Sequence, residues 1–160
     1  MPTVPAREAA LAAIAARLAA ALPDVPVERG RRSVVAEQEC PRLVLRMGGH
    51  REDPADAFGA IRLDCEAAIE GYVAAPDGAD DPDAALEAAL NELHARCAAA
   101  LLGVAIAYAE DDDLMVAGVS LEPDAPALDA ASAAVGGFTW AIRFDLRVPA
   151  VGGPYVATAP

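Results

Sequence analysis

Two long stretches of the chain alternate apolar and polar residues with a period of two. From Ile61 to Ile69, the residues Ile61, Leu63, Cys65, Ala67 and Ile69 point one way, and Arg62, Asp64, Glu66 and Ala68 point the other. From Phe138 to Val148, Phe138, Trp140, Ile142, Phe144, Leu146 and Val148 oppose Thr139, Ala141, Arg143, Asp145 and Arg147. Alternate side chains of an extended strand leave on opposite faces, so each stretch predicts a strand with one dry and one wet side. Between them, Leu86, Leu90, Leu93, Cys97 and Leu101 recur at helical spacing. They predict an amphipathic helix over Ala84–Leu102, capped by Asp81 or Asp83 and closed by Gly103.

The same reasoning extends to the rest of the chain. Leu11, Ile14, Leu18 and Leu22 form a helical stripe over residues 5–22, with Pro5 suited to a helix start and Pro23 to its end. Its other positions are mostly alanine, which favours helix and leaves a smooth flank. Val25–Arg29 and Arg42–Met47 predict two further strands. Gly48–Asp56 reads as a polar loop with Gly-Gly and Pro. The strand from about Phe58 to Val73 is long enough to predict a bulge near Ala67–Ala68. Val104–Tyr108 is either a short strand or a helical tail. Asp111–Asp113 predicts a turn, Leu114–Leu121 a weak strand, and 122–136 a loop. The order α-β-β-β-α-(β)-β-β follows. It predicts an α+β fold in which an antiparallel or mixed sheet carries two main helices on one face. Residues 1–148 form a single domain in this reading, and 149–160 an irregular C-terminal tail.

Composition narrows the function classes. A chain of 160 residues fits one domain with a core that needs no staples. The formal net charge is −13, and all 12 basic residues are arginine. Affinity for phosphate backbones needs a surplus of clustered cations, so specific nucleic-acid binding and anionic membranes are both disfavoured. DNA remains compatible as passing cargo. Cys40, Cys65 and Cys97 match neither a zinc site nor a CxxC pair, which points to a reducing compartment without disulfides. Ala9–Leu22 is interrupted by Arg17 and does not have the form of a signal peptide, and no apolar run is long enough to span a bilayer.

Candidate chemistry is sparse. His94 has Leu90 and Ala98 four residues away, which offer no partner for a general base or a metal ligand, so a structural or surface role is favoured. His50 lies beside Arg51, Glu52 and Asp53, and these four form a candidate partner-contact loop. The acidic runs Asp80–Asp83 and Asp111–Asp113 lack the ligand alternation of a calcium loop and read as turns and caps. Neither Gly48-Gly49 nor Gly136-Gly137 belongs to a phosphate-binding framework, and no serine has an adjacent base. The expectation is a non-enzymatic protein with no catalytic residue, metal or cofactor. The tail carries Tyr155 and Val156. It can cover a sheet edge, reach a neighbouring subunit, or stay disordered.

The order of elements resembles the tail terminator, or tail completion, family of long-tailed double-stranded DNA bacteriophages and gene transfer agents. The stretches that carry the resemblance are Arg7–Leu22, Cys40-Pro41-Arg42-Leu43-Val44-Leu45-Arg46-Met47-Gly48, Glu70-Gly71-Tyr72-Val73, Ala84–Leu102 and Phe138–Val148. It implies a helix-backed sheet assembled as a hexameric ring. Such a ring caps the growing tail tube, stops its polymerisation and presents a surface to the head–tail connector or neck. The implied partners are further copies of the chain, the tube protein and the connector. The implied location is the tail of a virion or phage-like particle assembled in the bacterial cytoplasm. Loops Gly49–Ala57 and Glu122–Gly136 match nothing in the family and are natural places for partner specificity. Other readings are another neck protein, a small-ligand pocket between sheet and helices, or a small enzyme using His50 and Asp53.

Overall fold

Alanine-rich sequence makes good helix, and the two helices form where the apolar stripes predict them. In the computed structural model, which describes residues 3–53, 60–109, 115–121, 135–149 and 155–157, α1 spans Ala6–Ala21 and α2 spans Pro82–Leu101. Pro5 stands at the N-cap of α1. Asp81 caps α2 by accepting from the Ala84 amide at 3.1 Å, with Pro82 at the first helical position. Gly103 follows α2 at φ +69°, the left-handed conformation that glycine adopts without a Cβ clash.

The strands are β1 Thr3–Pro5, β2 Val27–Arg29, β3 Arg42–Asp53, β4 Ala60–Ala74, β5 Ile106–Ala107, β6 Met115–Leu121, β7 Val135–Pro149 and β8 Tyr155–Ala157. Six of them form a mixed sheet in the order β2-β3-β4-β7-β6-β5; β2 runs parallel to β3, and the other pairings are antiparallel. The class is α+β, as the alternation predicts. The two long alternating stretches are central neighbours: Leu63 pairs with Leu146, Cys65 with Phe144, Ala67 with Ile142 and Ile69 with Trp140. Both apolar faces therefore fall on the same side, and the helices pack there.

Three expectations are corrected. Gly48–Asp53 is strand, not loop, because β3 continues along β4 as far as Asp53 opposite Arg62. The irregularity expected within β4 near Ala67–Ala68 lies instead in its partner. Register shifts between Met47 and His50, where Gly48 and Gly49 bulge out of β3. The tail is not wholly irregular, since Tyr155–Ala157 pairs with Thr3–Pro5 in a separate two-stranded ribbon. The turn expected at Asp111–Asp113, most of the loop 122–136 and residues 54–59 lie outside the described residues.

The core fills the space between sheet and helices. Ile14 and Leu18 of α1 and Leu90, Leu93, Cys97 and Leu101 of α2 meet Ile69, Ile142, Phe144 and Leu146 of the sheet. Trp140 is 3% exposed. Polar contacts pin the layers together: Arg17 Nε donates to the Ala100 carbonyl at 3.1 Å, Arg29 pairs with Glu8 at 2.7 Å, and Arg96 forks onto Asp24.

Candidate functional site: the bulged strand and the open sheet face

The bulge in β3 sits where glycine is needed for close approach. A Cβ on Gly48 would stand 2.8 Å from the Glu66 carbonyl oxygen, inside contact distance. Around the bulge, the inward-facing positions of β3 are Met47 before it and His50 and Glu52 after it, which pair with Ala67, Cys65 and Leu63. Their neighbours Leu43 and Leu45 are buried under the helices, whereas Met47 is 61% exposed and His50 and Glu52 are exposed. This half of the strand projects beyond the helical layer. Arg7, at the start of α1, ties it back: Nη1 donates to His50 Nδ1 at 2.8 Å and Nη2 to the Gly48 carbonyl at 2.5 Å. The guanidinium has no acceptor, so His50 Nδ1 must present its lone pair. A surface cleft of about 230 Å³ opens beside the bulge, lined by Gly49, His50, Arg51, Asp64, Glu66 and Arg143.

The cleft opens onto the second face of the sheet, away from the helices. On β3, β4 and β7 this face carries Arg42, Arg46, Arg51, Arg62, Arg143 and Arg147. Against these six arginines stand, by register, the carboxylates Asp64, Glu66, Glu70 and Asp145. Cross-strand ion pairs join Arg46 to Glu70 at 2.6 Å, Arg62 to Asp145 at 2.7 Å and Arg143 to Glu66 at 3.1 Å. Ala68 faces Ala141 between these pairs, and the short side chains leave a second shallow cleft of about 260 Å³. Among the described residues, this face is covered at the β2–β3 end by the segment 31–41.

That segment is held by charge. Arg31 reaches both Glu39 carboxylate oxygens, at 2.9 and 2.7 Å, and Glu28 at 3.2 Å, while Arg42 pairs with Glu28. The Arg31 guanidinium and the Ala36 amide hold the Glu39 carboxyl down to about 2. Val35 and Val44 are buried on this side, although Val44 lies on the face that alternation assigns to solvent. Tyr72 donates to Glu70 at 3.0 Å, and burial pushes its phenol up.

The predicted contact residues are thus partly brought together. His50 and Arg51 line the cleft, and Glu52 and Asp53 continue the strand away from it. Arg7, which holds the bulge, is separated from it by about forty residues and carries no local signal. His94 packs its ring on Trp140, with centroids 4.7 Å apart, and edge-on to Phe138 at 5.3 Å. Cys65 and Cys97 are buried and their thiols are pushed up to about 11 and about 12. Among the described residues, no group of three or more His, Cys, Asp or Glu side chains could hold a metal, and no helix is long and apolar enough to cross a membrane. The backbone at Tyr155 and Val156 pairs with Pro5 and Val4 of the same chain.

No protein-family model matches the chain, and no curated protein matches it in sequence. Its fold is similar to that of a chain in the virion of a native gene transfer agent particle, with a TM-score of 0.53 and 15% identity. The match covers 88% of this chain and 96% of the other. At that identity the likeness is one of fold.

Proposed function

We propose that this chain is a structural component of a phage-like particle, and that it caps the end of a tail tube as a ring, stops tube growth and forms the joint to the head or neck. The observation that carries this reading is the fold likeness to a gene transfer agent virion chain, which spans nearly the whole of both chains rather than one shared motif. The described surface supports it. Its clefts are shallow, and its arginines on the open sheet face are matched by carboxylates, which suits protein contacts more than turnover of a small substrate. No enzymatic activity is assigned to the chain. DNA enters the reading as passing cargo, since a chain of net charge −13 with most of its arginines in ion pairs has little hold on phosphates.

Light scattering on a sizing column, at low and moderate salt, tests the ring. A discrete species near six times 16.3 kDa is the expected result. Addition of the purified chain to polymerising tube protein should then shorten the tubes seen by electron microscopy. A chain that stays monomeric and leaves tube length unchanged would overturn the reading.

A further inference from the structure

Among the described residues, the side-chain hydrogen bonds between α1 and β3 come from one guanidinium. Arg7 Nη1 donates to His50 Nδ1 at 2.8 Å, and Nη2 donates to the Gly48 carbonyl at 2.5 Å. The two legs differ in kind. A carbonyl oxygen accepts at any pH, but an imidazole nitrogen accepts only while it carries no proton. The contact therefore requires the neutral ring with its single proton on Nε2. A second proton would go onto Nδ1, the atom that faces the guanidinium. It would set N–H against N–H, and one cation against another, at hydrogen-bond distance.

We propose that Arg7 and His50 form a pH-operated latch: the neutral imidazole fastens the projecting half of β3 to the start of α1, and protonation of the ring releases that leg. The latch does not rest on the cap reading. The groups around the ring leave the decision to Arg7. Cys65 of β4 pairs across from His50, and burial keeps it a neutral thiol. Asp64 and Glu66 of β4, Arg51 of β3 and Arg143 of β7 line the same cleft as the ring, two carboxylates against two guanidiniums. Glu66 is already paired with Arg143 at 3.1 Å. Glu52, two positions further along β3, is exposed on the ring's own face. Glu8, next to Arg7 on α1, is held by Arg29 at 2.7 Å. With the cleft in balance, the charge in direct contact with the ring is Arg7. The Gly48 leg does not depend on the ring, and β4 keeps its pairing with His50–Asp53. The strand therefore stays in the sheet while its tie to the helix loosens. Histidine is the side chain whose charge ordinarily changes between about pH 5 and 8, so mild acidification is the signal that such a latch reads.

A double-mutant cycle of Arg7→Met and His50→Ala, read by urea unfolding at about pH 8 and about pH 5, tests this. The Gly48 leg is present in both backgrounds and cancels. At the higher pH, loss of Arg7 should raise the unfolding constant at least about threefold more with His50 in place than with alanine there. At the lower pH, that excess should vanish or reverse. No excess at the higher pH, or one that is unchanged at the lower, overturns the latch. The nitrogen-15 spectrum of the natural chain adds a check that needs no variant to fold. At the higher pH, His50 should carry its proton on Nε2, and a proton on Nδ1 overturns the latch as well.

Discussion

At the scale of single residues, burial sets the chemistry of the thiols. The thiols of Cys65 and Cys97 sit in the core, and desolvation, the largest cause in each case, holds them protonated. Cys40 is part-buried, with its Sγ donating to the Ala36 carbonyl at 3.6 Å. A thiol-reactive chromophore should therefore label one cysteine of the native protein, and all three after denaturation; rapid labelling of Cys97 in the native state would contradict its place on the buried face of α2. Trp140 spans the interface between β7 and the His94 ring, so Trp140→Ala should cost about 3–5 kcal/mol in denaturant unfolding. A loss below about 1 kcal/mol would place that strand face outside the core. The burial of Trp140 and Cys65 was legible from the period of two and that of Cys97 from the helical stripe, since each period says which residues share a face before any partner is known.

At the scale of elements, pairing decides more than local pattern. Gly71 lies directly opposite Phe138, and a Cβ there would come within 2.3 Å of the ring. Gly71→Ala should destabilise the β4–β7 pair by about 1–3 kcal/mol, measurable as a lower midpoint in urea, because the ring must leave its rotamer. The clamp over β2 and β3 gives a pH signature. The Glu39 carboxyl is lower in the folded chain than in the unfolded one, so its contribution is present above its ordinary range and fades as pH falls toward about 2. The stability difference between the natural chain and Glu39→Gln should accordingly be full at pH 7 and shrink below about pH 5. A constant difference across that window would mean that the pair with Arg31 is not formed. The extension of β3 through Gly48–Asp53 was illegible in sequence for a related reason. Gly-Gly and polar residues signal a loop locally, but β4 offers a paired edge whose hydrogen bonds outweigh that preference. The bulge moved to β3 for the same cause, because glycine accommodates the close approach to Glu66 that Ala67 or Ala68 would not.

At the scale of the whole molecule, the sheet has a dry face under two helices and a second face of cross-strand ion pairs. The proposed assembly role would use the second face, which neither α1 nor α2 covers. The mass of the assembled chain belongs to this scale: light scattering should find a discrete species near six times 16.3 kDa. By itself the sequence determined the α+β class, both helices with their caps, and the two central strands with their inward faces, because each follows from the period and chemistry of neighbouring residues. Tertiary structure alone decided the strand order and the parallel placement of β2. It also decided the pairing of Tyr155–Ala157 with Thr3–Pro5, the burial of Val44 and the reach of Arg7 to His50. Each of these joins residues distant in the chain, and the free energy that selects them comes from contacts that no local pattern records.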